Sequence, residues 1–493
     1  MAESSEPPSH RQKPTTGDDD RISHLPDVLL LQILSLLPTK QAVITGILSK
    51  RWRPLWPAVS VLDFDDESSP EFHHPGGLTG FAEFVYSVLL LHDAPAIERF
   101  RLRCANPNYS ARDIATWLCH VARRRAERVE LSLSLSRYVA LPRCLFHCDT
   151  VSVMKLNGVF LNALASFSVS LPLLKVLHVG DRVLFGCHDY VVKLLAGCPA
   201  LEDLVLESTY NDACGGVVCA EGNFQLDLKH LSSAKIGFSW KERCLKSMLL
   251  IFRALSNVRC LSLSTSTVAV RKCGSLYCHM DIVCYLGAPC LNCEVVLGEH
   301  LNAGIITCAD RLQLGNMVES SDLGRTKPQK IHPCASTAAS CSVLWLFKFL
   351  SGLCLKHAST SDIPVFDKLI QLEISFGNYS WDLLASLLQR SHKLEVLTIY
   401  KEPQKYAKGQ EPRWIHPLLV PECLLHLKTF CLREYQGLET ELDFVGYIMQ
   451  NARVLETMTI YISSSLGSEE KLQIRRHLSI LQRNFETCQI VFH

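Results

Sequence analysis

The chain has 493 residues, of which 48% are hydrophobic and 20% are charged, and its formal net charge is +1. This composition is typical of a globular protein with a large core, and the near-zero charge gives no overall attraction to nucleic acid or membranes. No apolar run approaches the roughly 20 residues of a membrane-spanning helix. The first residues are polar and acidic, unlike a signal peptide, so we expect an intracellular protein, nuclear and/or cytoplasmic.

The first 60 residues predict a polar tail followed by a small helical domain. Residues 1–19 are rich in Pro, Ser, Thr, Gly and Asp, and we expect them to be disordered. Residues 20–60 predict three short helices, the first starting at Pro26 and stopped by Pro38. The second would cover 40–47, and the third 49–56, with its first residue, a serine, as the N-terminal cap.

This helical segment carries more apolar side chains than some forty residues can bury. No cysteine precedes Cys104, so a disulfide cannot stabilise it. Either a protein partner covers the apolar face, or the helices cap the domain that follows.

Beyond this segment the chain becomes repetitive. Residues 61–66 predict a strand ending in an acidic turn, 67–80 a loop and 81–91 an amphipathic helix. From about residue 97 the unit apolar-x-x-apolar-x-apolar recurs in two runs, at intervals of 23 to 33 residues within each run, which approximates the period of leucine-rich repeats with longer units. Nine such units begin at Val151, Leu174, Leu201, Leu231, Val258, Leu369, Leu394, Leu427 and Leu455.

These units predict an α/β solenoid over 97–413, with one strand per repeat in a curved parallel sheet and helices such as 191–196 and 382–389 on the outer side. An ordinary α/β domain is the alternative. The residue between the last two apolar positions of each unit should face the concave side. These residues are Lys155, His178, Val205, Lys235, Ser262, Glu373, Thr398, Cys431 and Thr459. They lack an aromatic ladder for stacking bases, so the face predicts a protein partner.

The section 264–365 fits the repeat poorly, and 319–342 resembles a loop or insertion. It contains a cysteine-rich group, in which zinc would need four converging ligands, usually in two close pairs. One tight pair with irregular gaps favours buried thiols, so we expect no metal or cofactor. The group consists of Cys273, Cys278, His279, Cys284, Cys290 and Cys293.

No catalytic motif is present: there is no P-loop, Gly-x-Ser-x-Gly elbow or His-Glu-x-x-His helix. The basic run 123–128 is interrupted by Glu127, which favours a solvated helix face over a nucleic-acid site. The sequence therefore predicts a protein without catalytic residues.

The helical segment resembles the F-box of plant F-box/leucine-rich-repeat proteins. The resemblance rests on Asp20-Arg21-Ile22-Ser23, Leu25-Pro26-Asp27, Leu37-Pro38-Thr39-Lys40 and Leu48-Ser49-Lys50-Arg51-Trp52-Arg53. Gly46 departs from the family, which usually has a small polar residue there. The resemblance implies binding to a Skp-type adaptor through Leu25, Pro26, Ile33, Leu34, Leu37, Pro38, Val43, Leu48, Trp52 and Trp56.

The last 80 residues, 414–493, are similar to the FBD region of the same proteins, as in Val420-Pro421-Glu422-Cys423 and Asn451-Ala452-Arg453-Val454-Leu455. We expect two repeat-like strands, helices over 442–450 and 469–481, and a final strand that closes the sheet edge. Capping is the role we expect for this region.

The resemblances imply a substrate-recognition subunit of a Skp-cullin-F-box ubiquitin ligase. Its F-box would bind the adaptor and, through it, the cullin core, while its repeats bind a target protein. An interaction scaffold that does not direct ubiquitination is the alternative, and a thiol-dependent enzyme is a third reading.

Overall fold

The computed structural model describes residues 22, 24–67, 77–105, 109–134, 139–161, 164, 167–185, 189–207, 209–210, 226–237, 245–264, 364–376, 381–401, 414, 417, 419–483 and 489–492. They belong to two compact units, Met1–Val151 and Ser152–His493. The expected disordered tail, the cysteine-rich group and the 319–342 insertion lie outside the described residues. No helix in the described part is long and apolar enough to cross a membrane.

The first unit begins with two helices, each preceded by a proline. Helix α1 spans Asp27–Ser35, and α2 spans Thr39–Ile44 before a 3₁₀ turn, Thr45–Ile47. Pro26 and Pro38 have extended backbones and lie at the N-cap positions of α1 and α2. Pro26 was predicted as the first residue of α1 and instead lies just before it, at the N-cap. Pro38 was predicted to stop α1, but α1 already ends at Ser35, and Pro38 is the N-cap of α2.

The predicted third helix over 49–56 does not form as a continuous helix. Residues 50–55 make hydrogen-bonded turns, and a 3₁₀ turn follows at Trp56–Ala58. Pro54 explains the difference, because it has no N–H to donate and disfavours the α conformation of the residue before it. The Ser49 hydroxyl nevertheless accepts a hydrogen bond from the Arg51 N–H at 3.3 Å, as expected of a cap.

The rest of the first unit is a small parallel sheet with helical crossovers. The strands pair in the order β1, β2, β3, and two helices connect them as parallel crossovers require. The predicted strand β1 and helix α3 are confirmed, whereas β2 and β3 were not singled out from the sequence. The bounds are β1 Val61–Asp65, α3 Gly77–Leu91, β2 Arg99–Cys104, α4 Ala111–Arg123, β3 Arg128–Leu133, β4 Val139–Ala140 and a 3₁₀ turn Arg143–His147.

The second unit contains a long parallel sheet whose strands pair largely in sequence order. The order is β5-β7-β9-β11-β12-β13-β14-β15-β16-β17. The main strands are β5 Val153–Asn157, β7 Val176–Val179, β9 Asp203–Leu206, β11 Ser233–Ile236, β12 Cys260–Leu263, β13 Gln371–Phe376, β14 Val396–Lys401, β15 Thr429–Tyr435, β16 Thr457–Ile462 and β17 Gln489–Phe492. Three two-residue strands, β6 Val159–Phe160, β8 Leu184–Phe185 and β10 Thr209–Tyr210, pair separately.

Helices lie between several of these strands, and the predicted ones are confirmed. Their bounds are α5 Asp189–Ala196, α6 Leu245–Ala254, α7 Trp381–Gln389, α8 Glu439–Asn451 and α9 Ser468–Arg483, with 3₁₀ turns at Leu255–Asn257 and Glu422–Leu425. Strands β12 and β13 pair directly, although more than a hundred residues separate them along the chain. The predicted final strand, β17, forms and pairs with β16.

Candidate interaction surfaces

The first candidate surface consists of apolar side chains on α1, α2 and the 3₁₀ turn after α2. We call it the apolar surface, and it contains seven exposed residues. They are Val28, Leu29, Ile33, Leu36, Ile44, Ile47 and Leu48. Several exposed apolar side chains on neighbouring short helices are typical of a protein-binding site.

Helix α1 has two apolar stripes that differ by one residue. Leu30 and Leu34 are fully buried, whereas Leu29, Ile33 and Leu36, at positions i, i+4 and i+7, remain exposed. A shift of one residue turns a side chain by about 100° around the helix, so only one stripe can face the core. The second stripe is left for a partner.

The buried stripe belongs to a compact core with Ala42, Leu55, Val59 and Val61. The helices are also tied to the sheet, because the Asp63 N–H donates to Thr39 Oγ1 at 2.6 Å. The apolar surface is therefore held on an already packed unit, and its exposure is not a consequence of loose helices.

The structure distributes the predicted adaptor-binding residues over three environments. Pro26, Ile33 and Leu48 are exposed, and Leu34 lies in the core at 1% exposure. Leu34 therefore cannot be counted as a surface contact, because its stripe is the one that faces inward. The remaining predicted residues are half-buried: Leu25, Leu37, Pro38, Val43, Trp52 and Trp56.

The predicted adaptor-binding set omitted five residues of this surface: Val28, Leu29, Leu36, Ile44 and Ile47. Their signal was the width of the apolar pattern, which exceeds one helical stripe. Gly46 has no steric reason to be glycine, since an added Cβ would lie 3.7 Å from the nearest atom, an ordinary contact.

The second candidate surface is the row of nine strand residues predicted to share one face, which we call the strand row. The pairing register aligns them one after another: Lys155 with His178, His178 with Val205 and Val205 with Lys235. The alignment continues through Ser262, Glu373, Thr398, Cys431 and Thr459. All nine side chains therefore form a continuous line across nine adjacent strands, with buried residues on either side along each strand.

Polar side chains on this face form pairs between neighbouring strands. His178 Nε2 lies 2.8 Å from an oxygen of Asp203, and Lys235 Nζ lies 2.6 Å from an oxygen of Glu207. The hydrogen bond to Glu207 raises the pKa of Lys235, which keeps this lysine charged. The strand row is thus polar and partly neutralised, as suits a hydrated protein-binding face.

Aromatic residues occur just beyond the strand row, at positions that the sequence prediction did not include. Tyr400 pairs with Arg433 in the β14–β15 register, and the Arg433 guanidinium lies near the rings of Tyr400 and Tyr461. They follow the row by two residues on their strands, so they share its face.

Three buried thiols, Cys104, Cys198 and Cys423, do not resemble nucleophiles. Burial raises the pKa of both Cys198 and Cys423 to about 12, and it also raises that of Cys104. Reactive cysteines need a lowered pKa. Within the described ranges, no group of three or more His, Cys, Asp or Glu residues is arranged to hold a metal ion.

These features define an α/β protein that joins an apolar helical surface to a parallel sheet of repeated strands. Residues 22–62 match the F-box domain family, and residues 416–460 match the FBD family. A putative FBD-associated F-box protein of Arabidopsis thaliana is 32% identical over 496 residues, covering 96% of this chain and 99% of that protein. An F-box/FBD/LRR-repeat protein of the same plant is 28% identical over 486 residues, with 96% and 99% coverage. The chain belongs to the F-box/FBD/LRR-repeat family, which confirms the resemblance drawn from its sequence.

Proposed function

We propose that this protein is the substrate-recognition subunit of a Skp-cullin-F-box ubiquitin ligase in the nucleus or cytoplasm. Its F-box, which contains α1, α2 and the 3₁₀ turns that follow them, binds a Skp-type adaptor, which connects it to the cullin core. Its strands form a leucine-rich-repeat solenoid, closed by the FBD region, and the strand row binds the target protein. The chain itself supplies no catalytic residue.

The observation that carries the proposal is the apolar surface beside a packed core. Each buried CH₂ group contributes about 0.8 kcal/mol, so covering seven largely exposed aliphatic side chains stabilises a complex substantially. Helices that present such side chains commonly dock into a groove of a partner. The match of residues 22–62 to the F-box family supports a Skp-type adaptor as this partner.

A pull-down with a purified Skp-type adaptor tests the docking step. Ile33→Asp and Leu48→Asp each place a charge on the apolar surface and should abolish binding. Leu90→Asp is the matched control, because Leu90 is equally apolar and 81% exposed but lies on α3 of the same unit. Binding that survives both surface substitutions, or is lost with Leu90→Asp, would contradict the proposed docking site.

An interaction scaffold with the same two surfaces is the competing function. Reconstitution with the adaptor, the cullin core and a ubiquitin-loaded conjugating enzyme distinguishes the two. A ligase subunit should promote ubiquitination of a protein that binds the strand row, and Ile33→Asp should abolish it. A scaffold would bind the same protein in the complex without any ubiquitin transfer.

A further inference from the structure

Strand β15 contains a bulge at the end of the strand row. Leu432 and Tyr435, three residues apart, pair with residues only two apart on β16. Glu434 accommodates the extra residue with a φ of 60°, which is uncommon for a residue other than glycine. Arg433 precedes the extra residue and lies on the face of the strand row by ordinary alternation, two residues after Cys431. The bulge then returns Tyr435 to the core, where strict alternation would have placed it on the face.

The Arg433 guanidinium lies between two tyrosine rings. Its Cζ is 5.1 Å from the ring centroid of Tyr400 on β14 and 4.5 Å from that of Tyr461 on β16. Both distances lie within the roughly 6 Å of a cation–π contact. Rings on both sides restrict the guanidinium, whose N–H groups point outward in its own plane. We call this group the arginine stack.

The arginine stack carries a positive charge that no carboxylate of the described residues pairs with. Among the described residues, no carboxylate forms an ion pair with Arg433, and its Nε has no hydrogen-bond partner there. The Glu434 carboxylate instead accepts a hydrogen bond from the Ser463 hydroxyl at 2.7 Å. Burial raises the pKa of the nearby Cys431 thiol against the opposing effect of Arg433, so this thiol stays neutral.

Two threonines lie beside the strand-row position that precedes Arg433 on the same face. Thr398 and Thr459 flank Cys431 in the strand register, one on each neighbouring strand. A restrained arginine with nearby hydroxyls suits an oxyanion, because guanidinium groups bind carboxylates and phosphates through two parallel hydrogen bonds. Holding the group in place before binding also lowers the entropic cost of association.

We propose that the arginine stack binds an acidic group, either a carboxylate or a phosphoryl group, on the target protein. This inference rests on the proposed function, in which the strand row holds the target. It adds that the target presents an acidic side chain to the β14–β16 end of the row.

A peptide array tests the inference on the full chain bound to the Skp-type adaptor. One peptide position is fixed as Glu, Gln, Ser or phosphoserine, and the others are randomised. Glu or phosphoserine peptides should bind at least about tenfold better than the Gln and Ser sets, since hydrogen bonds to charged groups contribute this much or more. A preference for phosphoserine over Glu would identify a phosphorylated target, and equal binding a carboxylate.

Three variants locate the residue responsible for the acidic preference. Arg433→Gln should reduce binding of the acidic set to that of the neutral set. Lys428→Gln removes the same charge just before the start of β15, where Lys428 pairs with Glu395, and should leave the preference unchanged. Arg433→Lys keeps the charge but not the planar fork, and should retain only part of the preference.

The outcomes distinguish a failure of the acid-binding role of the arginine stack from a failure of the proposed function. Equal binding of acidic and neutral peptides by the wild-type chain overturns the acid-binding role, and so does an acidic preference that survives Arg433→Gln. The proposed function fails by a different result: a wild-type chain that does not bind the adaptor, or peptide binding that is insensitive to Glu373→Lys in the strand row.

Discussion

Leu34→Ala and Leu36→Ala make the same chemical change two residues apart in opposite surroundings. Leu34 is 1% exposed and belongs to the core of the first unit, whereas Leu36 is 82% exposed on the apolar surface. The two substitutions should therefore affect different quantities. Leu34→Ala should reduce stability, and Leu36→Ala should reduce adaptor binding.

The magnitudes follow from the side chain removed. Leucine loses three carbons on conversion to alanine, which is about 2.4 kcal/mol at about 0.8 kcal/mol per buried group. Scaled by the exposed fraction of Leu36, the loss in binding free energy is about 2 kcal/mol, or roughly 30-fold in affinity. Leu36→Ala should change the unfolding free energy by less than about 0.5 kcal/mol. Leu34→Ala should lower it by about 2 to 5 kcal/mol.

Titration calorimetry with the adaptor measures the affinity, and urea unfolding measures the stability. The reasoning is refuted if Leu36→Ala binds the adaptor as tightly as the wild type, because the adaptor then does not cover the exposed stripe. It is equally refuted if Leu34→Ala unfolds at the wild-type urea concentration.

Three further predictions concern stability. Gly437→Ala should lower the free energy of unfolding by roughly 1 to 2 kcal/mol, because the φ of Gly437 is 76° and an added Cβ would lie 2.7 Å from a side chain. Gly446→Ala should raise it by up to about 1 kcal/mol, because Gly446 lies on α8 with no atom near the position of an added Cβ. Lys401→Met should cost about 3 to 5 kcal/mol in urea unfolding, because it leaves the buried Glu441 carboxylate without its cation; adding Glu441→Gln should restore part of the loss. Burial lowers the pKa of His92 in the folded chain below its ordinary value of 6.5. As the pH falls below about 6.5, the imidazole is therefore protonated in the unfolded chain before it is protonated in the folded chain. The unfolding free energy should therefore fall as the pH drops below about 6.5, and His92→Gln should flatten this dependence in thermal unfolding at pH 5 to 7.5.

The strand row could be predicted from the sequence because two regularities coincide in it. Side chains alternate along a strand, and parallel pairing brings equivalent positions of successive repeats side by side. Lys155 and Thr459 are therefore located by the same rule, although several hundred residues separate them. The helix pattern was less informative: it indicated an apolar surface at α1 but could not show which of two adjacent stripes, that of Leu34 or that of Leu36, faces the core.

The arginine stack lies two residues beyond the strand row, where the same alternation places Tyr400, Arg433 and Tyr461 on the row's face. The repeat unit of β15 ends at Leu432, so the sequence interpretation did not extend to these residues. The bulge that follows Arg433 could not be predicted, because it arises from the pairing of β15 with β16. Strands β2 and β3 were missed although both contain the recurring unit, which begins at Ile97 for β2 and at Ala126 for β3.

The two surfaces belong to separate compact units, so substitutions in them should act independently. In a chain carrying both Leu36→Ala and Arg433→Gln, adaptor affinity should equal that of Leu36→Ala alone, and peptide affinity that of Arg433→Gln alone. Mutations without shared partners usually add within about 0.3 to 0.5 kcal/mol. A coupling above about 1 kcal/mol in either assay would refute this independence, because the adaptor would then alter how the sheet binds its target. Additivity in both assays would mean that each surface can be changed without altering the other.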